Sequence, residues 1–176
     1  DELHFMPVRT LADIEWLRKE RNRPLLMKYF RQSRPITKKE QRGWWKHLNK
    51  ENVRLFIVAT KDGRRVGYVG LNPIDWRHRH AEFGIFMIPE AQGAGYGKRA
   101  IHFLLSYGFE KLGLHKIYSD VIDYPNENRF EIYRRSGFTK EGVYREHYVK
   151  RGRWLRAISF SMLASEFRRV SARHGK

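Results

Sequence analysis

The run Gln92-Gly93-Ala94-Gly95-Tyr96-Gly97-Lys98 is the stretch of this sequence best suited to hold a ligand. Closely spaced glycines let a backbone turn tightly and approach a bound group, with free N–H donors turned outward. The run follows a strand-like stretch, Ala81 to Ile88, and precedes a segment, about 95–112, with helical periodicity. There Tyr96, Ala100, Phe103, Leu104, Tyr107 and Leu112 recur on one face. A helix starting at such a loop adds partial positive charge, and the natural guest is a pyrophosphate. The Lys-Ser/Thr pair of a P-loop is absent. A dinucleotide-binding loop would follow the first strand, whereas this one follows the third. A turn with no ligand is the remaining alternative.

Glu82 is the second candidate. Strand alternation places it with Gly84, Phe86 and Ile88 on one face, and Ala81, Phe83, Ile85 and Met87 on the other. A partly desolvated carboxylate there can accept a proton as a general base, directly or through water. The competing role is structural, paired with Arg77, Arg79 or an arginine from the loop upstream. His78 and His80 could offer two metal ligands, but no third stands at ligand spacing, so no metal is expected. The chain has no cysteine, which excludes disulfides, thiolate zinc sites and a cysteine nucleophile.

These residues need elements to position them. The 176 residues, 41% hydrophobic with 11 Phe, 9 Tyr and 5 Trp, suffice for one domain, residues 1–176, with a real core. No apolar run is long enough to span a bilayer, and no leader opens the chain; a soluble, cytoplasmic domain with no membrane partner is expected. Thr10 with Asp13, and Thr37 with Glu40, read as capping boxes that open helices near 10–22 and at 38. Met27 to Pro35 between them reads as a basic, aromatic flap. Strands are predicted at Arg54–Thr60, Arg65–Leu71, Ala81–Ile88 and Lys116–Ile122, with a hairpin at Asp62-Gly63 and another at Arg151-Gly152. With helices at about 95–112 and 126–135, the order predicts an α/β fold around a mixed sheet.

The order of strand, Gln92-x-x-Gly95-x-Gly97, helix, strand, then Asn126 and a helix ending Tyr133-Arg134-Arg135-Ser136-Gly137-Phe138 resembles the GNAT superfamily of acetyl-CoA-dependent N-acetyltransferases. Arg79-His80-Ala81-Glu82-Phe83-Gly84-Ile85, Glu141-Gly142-Val143 and Arg153-Trp154 are similar to one branch of it. That branch holds spermidine, ribosomal-protein N-terminal and nucleotide-amino-sugar acetyltransferases. The resemblance covers roughly residues 5–165. It implies that the backbone of Phe86, Met87 and Ile88 pairs with the pantetheine arm of acetyl-CoA, and that Gln92, Gly93, Ala94, Gly95, Tyr96, Gly97 and Lys98 hold its pyrophosphate. It also implies that Asn126 bonds the pantetheine and that Tyr133 protonates the departing thiolate. A phenol with pKa about 10 is chemically suited to that task, although a buried packing tyrosine would look the same in sequence. Arg129 and Phe130 depart from the small and aliphatic residues usual at this turn.

The chain carries a net charge of +17. Eleven basic residues against Glu20 and Glu40 fall within residues 18–46, and a basic tail occupies about 168–176. In the resembling family the two N-terminal helices and their loop wall the acceptor. Arg31 and Arg34 are therefore expected, with Glu82, to bind the acceptor amine, and an anionic one such as a nucleotide-linked amino sugar is expected over a polyamine. Acetylation of a peptide N-terminus or a polyamine is the alternative. A nucleic-acid-binding module is the rival from another class, disfavoured because it leaves the glycine loop unexplained. A homodimer is compatible with the sequence.

Overall fold

The computed structural model describes residues 2–174 except residue 126. Seven strands form one sheet: β1 (Leu3–Pro7), β2 (Arg54–Thr60), β3 (Arg65–Asp75), β4 (His80–Met87), β5 (Lys116–Ile122), β6 (Thr139–Lys150) and β7 (Arg153–Leu163). Their spatial order is β1-β2-β3-β4-β5-β7-β6, with β4 and β5 the one parallel pair. The helices are α1 (Leu11–Arg21), α2 (Pro24–Met27), α3 (Lys38–His47), α4 (Tyr96–Ser106), α5 (Glu131–Arg135) and α6 (Ala164–His174). No helix among the described residues is long and apolar enough to cross a membrane.

Strand alternation splits the core between the two faces of the sheet. Phe56 and Val58 of β2 and Phe83 of β4 join Ile101, Leu104, Ile117, Met162 and Phe167 on the side of α4 and α6. Leu55 and Ile57 of β2 and Phe86 of β4 join Ile14, Leu17 and Leu26 on the side of α1 and α2. β2 is buried almost throughout because it feeds both clusters.

Both capping boxes form. Thr10 Oγ1 accepts from Asp13 N and Thr37 Oγ1 from Glu40 N, while each acid returns a bond to its cap residue's backbone N–H. Both hairpin turns also form, with positive φ at Gly63, Arg151 and Gly152.

Four elements differ from the sequence reading. β1 is an added edge strand, paired in antiparallel register with β2 from Leu3↔Thr60 to Pro7↔Phe56. Its proline and short length hid it, and the β2 edge creates it. Leading into the flap, Pro24–Met27 winds one helical turn whose Leu26 is buried. The helix expected from residue 126 starts only at Glu131, while Tyr124 and Glu127 before it bond Lys28 and Tyr29 of the flap. The expected tail is the helix α6, anchored by buried Phe167 and by Glu166, whose carboxylate accepts from Leu163 N at 2.8 Å.

Candidate active site

β4 and β5 pair only from His80↔Lys116 to Glu82↔Tyr118. Beyond that point β4 stays bonded to β3 as far as Met87, and β5 stays bonded to β7 as far as Ile122. The two strands therefore diverge. Between them opens a cavity of about 700 Å³, lined by Glu82–Met87, Ser119–Ile122, the glycine loop, α5 and the flap. It reaches both faces of the sheet, because Glu82 and Tyr118 share one face while Ser119 and Phe83 lie on the other.

On the α4 face, the glycine loop is held by its own first residue. Gln92 Nε2 donates to the Met87 carbonyl at 3.1 Å. Gly93 and Gly95 have φ of +81° and +78°, and an added Cβ at either would meet nothing within 4 Å. Conformation, not space, thus requires glycine at these two positions. At Gly97 the fit is tight: a Cβ there would lie 3.1 Å from Ile132 Cδ1, which would have to shift by a few tenths of an ångström. Gly95 is the N-cap of α4 and no side chain caps that helix. An uncapped helix start keeps backbone donors and positive potential for an anion, which fits a pyrophosphate.

Of the predicted loop and strand residues, Phe86, Met87, Gln92, Gly93 and Gly97 line the cavity. Ala94 is exposed and Tyr96 is buried in the core. Lys98 instead lines a separate groove beside Phe103 and Phe167. Ile88 N donates to Val66 O at 2.9 Å, so this residue anchors the end of β4 to β3. Asn126 lies outside the described residues.

Tyr133 lines the same cavity at 8% exposure, stacked on Phe160 at 5.2 Å and packed against Phe83 and Phe138. Burial pushes its phenol above the ordinary value, opposed by Arg129 and by a hydrogen bond with Ser119. The hydroxyl therefore stays protonated at neutral pH. Its burial and ring contacts are those of a packing tyrosine, and its place on the cavity wall is compatible with the proton-donor role expected of it.

On the other face, Glu82 is mostly buried and paired with Arg31 of the flap. Burial disfavours the Arg31 charge, and Glu82 and Tyr148 together outweigh it. Arg34 does not join them. It turns outward to Glu40, Nη2 to Oε1 at 2.5 Å, and does not line the cavity. The expectation that Arg31 and Arg34 act together is corrected here: Glu40, placed by its capping box, draws Arg34 away.

Of the eleven basic residues within 18–46, three others besides Arg31 and Arg34 are likewise paired with acids of the chain. Arg18 meets Glu15, Arg23 meets Glu20 and Glu90, and Lys28 meets Glu127 at 2.7 Å. Lys150 of β6 reaches back to the carbonyls of Phe30 and Gln32 and ties the flap to the hairpin. Trp44 and Trp76 are largely exposed and Trp45 packs on the α1 side; none of the three lines the cavity.

Several site residues escaped the sequence reading. Arg129 enters the cavity with its guanidinium 3.3 Å from the Tyr29 ring, and burial lowers its pKa. Arg21, half-buried, also lines it, and its Nε is buried with no hydrogen-bond partner among the described residues. Tyr148 and Asp120 complete the lining. Asp120 had a signal, since Lys116, Tyr118 and Asp120 alternate with Ile117, Ser119 and Val121 along β5.

His78 and His80 acquire the third neighbour that sequence spacing lacked. Asp75, at the end of β3, brings three ligand-type atoms within 4.8 Å of one another. This corrects the premise that no third ligand stands near. Its carboxylate is already engaged by His78, from N at 2.8 Å and Nδ1 at 2.9 Å, which holds it at about 2.

Comparison with known proteins agrees with this geometry. Residues 2–139 match the acetyltransferase (GNAT) domain family. Spermidine N(1)-acetyltransferase of Escherichia coli K12 is 36% identical over 122 residues, 69% of this chain and 64% of that enzyme. The matched stretch thus spans about two thirds of that relative's length. A putative ribosomal N-acetyltransferase of Bacillus subtilis is 29% identical over 106 residues, 60% of this chain and 57% of that protein. The crystal structure of the Vibrio cholerae spermidine N-acetyltransferase, in complex with CoA and spermine, superposes with a TM-score of 0.86 at 29% identity, covering 94% of this chain and 97% of that one. The overall fold is thus shared with that enzyme, and this chain belongs to the GNAT acetyltransferase family.

Proposed function

We propose that this protein transfers the acetyl group of acetyl-CoA to a primary amine, with both substrates bound at once in the cavity between β4 and β5. The observation that carries the reading is the slot itself, which holds Tyr133 and the glycine loop towards one face and Glu82 towards the other. Acetyl-CoA supplies an activated acetyl group and a thiol leaving group. Gln92, Gly93, Gly95 and Gly97 shape the loop for its pyrophosphate, and the free edge of β4 offers backbone groups to its pantetheine arm. Glu82 accepts the proton that an ammonium must lose before its nitrogen can attack. Tyr133 donates to the sulfur as the C–S bond breaks and the C–N bond forms, and the second proton that the nitrogen sheds on becoming an amide returns the phenol to its neutral form, directly or through water. The chain has no cysteine to carry an acetyl group between two half-reactions, so direct transfer is the simplest course.

For the acceptor, we propose an aliphatic polyamine of the spermidine class. Similarity to spermidine acetyltransferases supports it. The charge argument for an anionic amino sugar loses its footing where it counted, since Arg31 is neutralised by Glu82 and Arg34 by Glu40. One observation favours the anionic acceptor as a second reading: Arg21, a cation lining the cavity, has no acid partner among the described residues and a buried Nε without a hydrogen bond. Coenzyme A release measured with spermidine, a nucleotide-linked amino sugar and a short peptide separates them. Spermidine should give the highest kcat/KM. A higher value for the amino sugar, weakening as salt rises from 0.01 to 0.15 M, would establish the second reading. No release with any amine would defeat the acetyltransferase reading.

A further inference from the structure

The cavity holds two carboxylates on adjacent strands, Glu82 of β4 and Asp120 of β5, and their surroundings differ. Glu82 is bound by Arg31. Asp120 Oδ1 is buried and accepts no hydrogen bond from any described residue. Asp120 lies two residues beyond the last β4–β5 pair, Glu82↔Tyr118, at the point where the strands have begun to part. Strand parity gives it the face of Tyr118 and Glu82, away from Ser119 and Tyr133. The phenols of Tyr118 and Tyr148 feel both carboxylates, so the two acids act on one local field.

A buried acceptor oxygen without a donor is costly and calls for a partner in the working state. The complement of a carboxylate on this face is a group with N–H donors and positive charge. A phosphate or sugar acid would be repelled. An ammonium meets both requirements. The two acids also suit two different amines. A carboxylate with no competing cation holds an ammonium firmly and keeps its proton on, which is wrong for a nucleophile. Glu82, its charge shared with Arg31, holds an ammonium less firmly and leaves that amine freer to give up its proton.

We infer that Asp120 anchors a second, non-reacting ammonium of a di- or polyamine acceptor, leaving Glu82 for the amine that is acetylated. This rests on the acetyltransferase reading above and names a specificity-determining residue within it.

The test compares 1,4-diaminobutane with butylamine, acceptors of one chain length that differ in the second amine. In wild type, kcat/KM should favour the diamine about 10- to 100-fold, the range for a charge-assisted hydrogen bond. Asp120→Asn should erase most of that preference through a higher KM for the diamine. Butylamine turnover, acetyl-CoA affinity and the acid limb of the pH profile should be retained. Asp120→Ser serves as a second variant should the amide destabilise the strand. Equal wild-type efficiency with the two amines would overturn the inference, and so would an equal loss for both in Asp120→Asn. Absence of turnover in wild type with every amine would instead defeat the reading beneath it.

Discussion

The two sides of the slot between β4 and β5 are built on different principles. The glycine-loop side is made of backbone: two left-handed glycines, an uncapped helix start and an open strand edge. All of it comes from one continuous stretch, Glu82 to Lys98. The flap side is made of side chains from distant segments. Arg31 meets Glu82, Lys28 meets Glu127, and Lys150 meets the carbonyls of Phe30 and Gln32. The first side is encoded locally and survives a reading along the chain. The second exists only after the chain has folded, and its net potential bears little relation to the count of basic residues that compose it.

Breaking the first side should have the largest effect. Valine at Gly95 would have to occupy a φ of +78°, a strain of roughly 1–3 kcal/mol or more for a β-branched residue. Gly95→Val should lose most acetyl-CoA affinity, read by calorimetry or by loss of the roughly 2.7 kcal/mol that a ligand at 100 times its dissociation constant adds to stability. Retained affinity would show that the loop does not hold the cofactor.

Tyr133→Phe comes next, with a fall in kcat of about 100-fold and acetyl-CoA affinity nearly intact. Burial raises this phenol, so any basic limb it contributes should lie above its ordinary value of about 10 and vanish in the variant. Turnover within a few-fold of wild type would leave Tyr133 a packing residue.

Glu82→Gln should abolish the acid limb of kcat/KM, which reports a base that must be deprotonated. An unchanged profile would make Glu82 a structural partner of Arg31.

Arg31→Ala and Arg34→Ala then sharpen the contrast within the flap. The first frees Glu82 and should change the KM for the acceptor several-fold. The second, on an outward pair with Glu40, should leave it within about twofold. Equal effects would restore the view of the flap as one basic field.

The smallest effect belongs to the scaffold. Thr37→Ala should cost about 1 kcal/mol in denaturant unfolding, the usual worth of an N-cap. Arg34 first, then the Thr37 N–H and hydroxyl, hold Glu40 at about 2 against an ordinary 4.5. Its folded-state value is depressed, so this contribution is present at neutral pH and lost as pH falls from about 4.5 towards 2.

The legible parts of the molecule share a short sequence range. Thr10-x-x-Asp13 and Thr37-x-x-Glu40 foretell their helices because a capping box is closed by neighbours. Gly63 and the Arg151-Gly152 pair foretell their hairpins because a tight turn is a two-residue decision. β1 was not legible, since Leu3–Pro7 becomes a strand only when β2 offers an edge. Asp75 was not seen beside His78 and His80 because the β3–β4 hairpin had to be closed first.

The sequence by itself determined the glycine loop, its place between a strand and a helix, and the presence of a phenol at Tyr133 and a carboxylate at Glu82 as candidates to move protons. Those follow from φ preference and side-chain chemistry, which travel with the residue. Tertiary structure alone decided which arginine reaches the cavity, which acid neutralises it and which carboxylate keeps an oxygen unpaired. Partners in an ion pair are chosen by distance and shared burial, and the distances between residue 31 and 82, or 34 and 40, exist only in the folded chain.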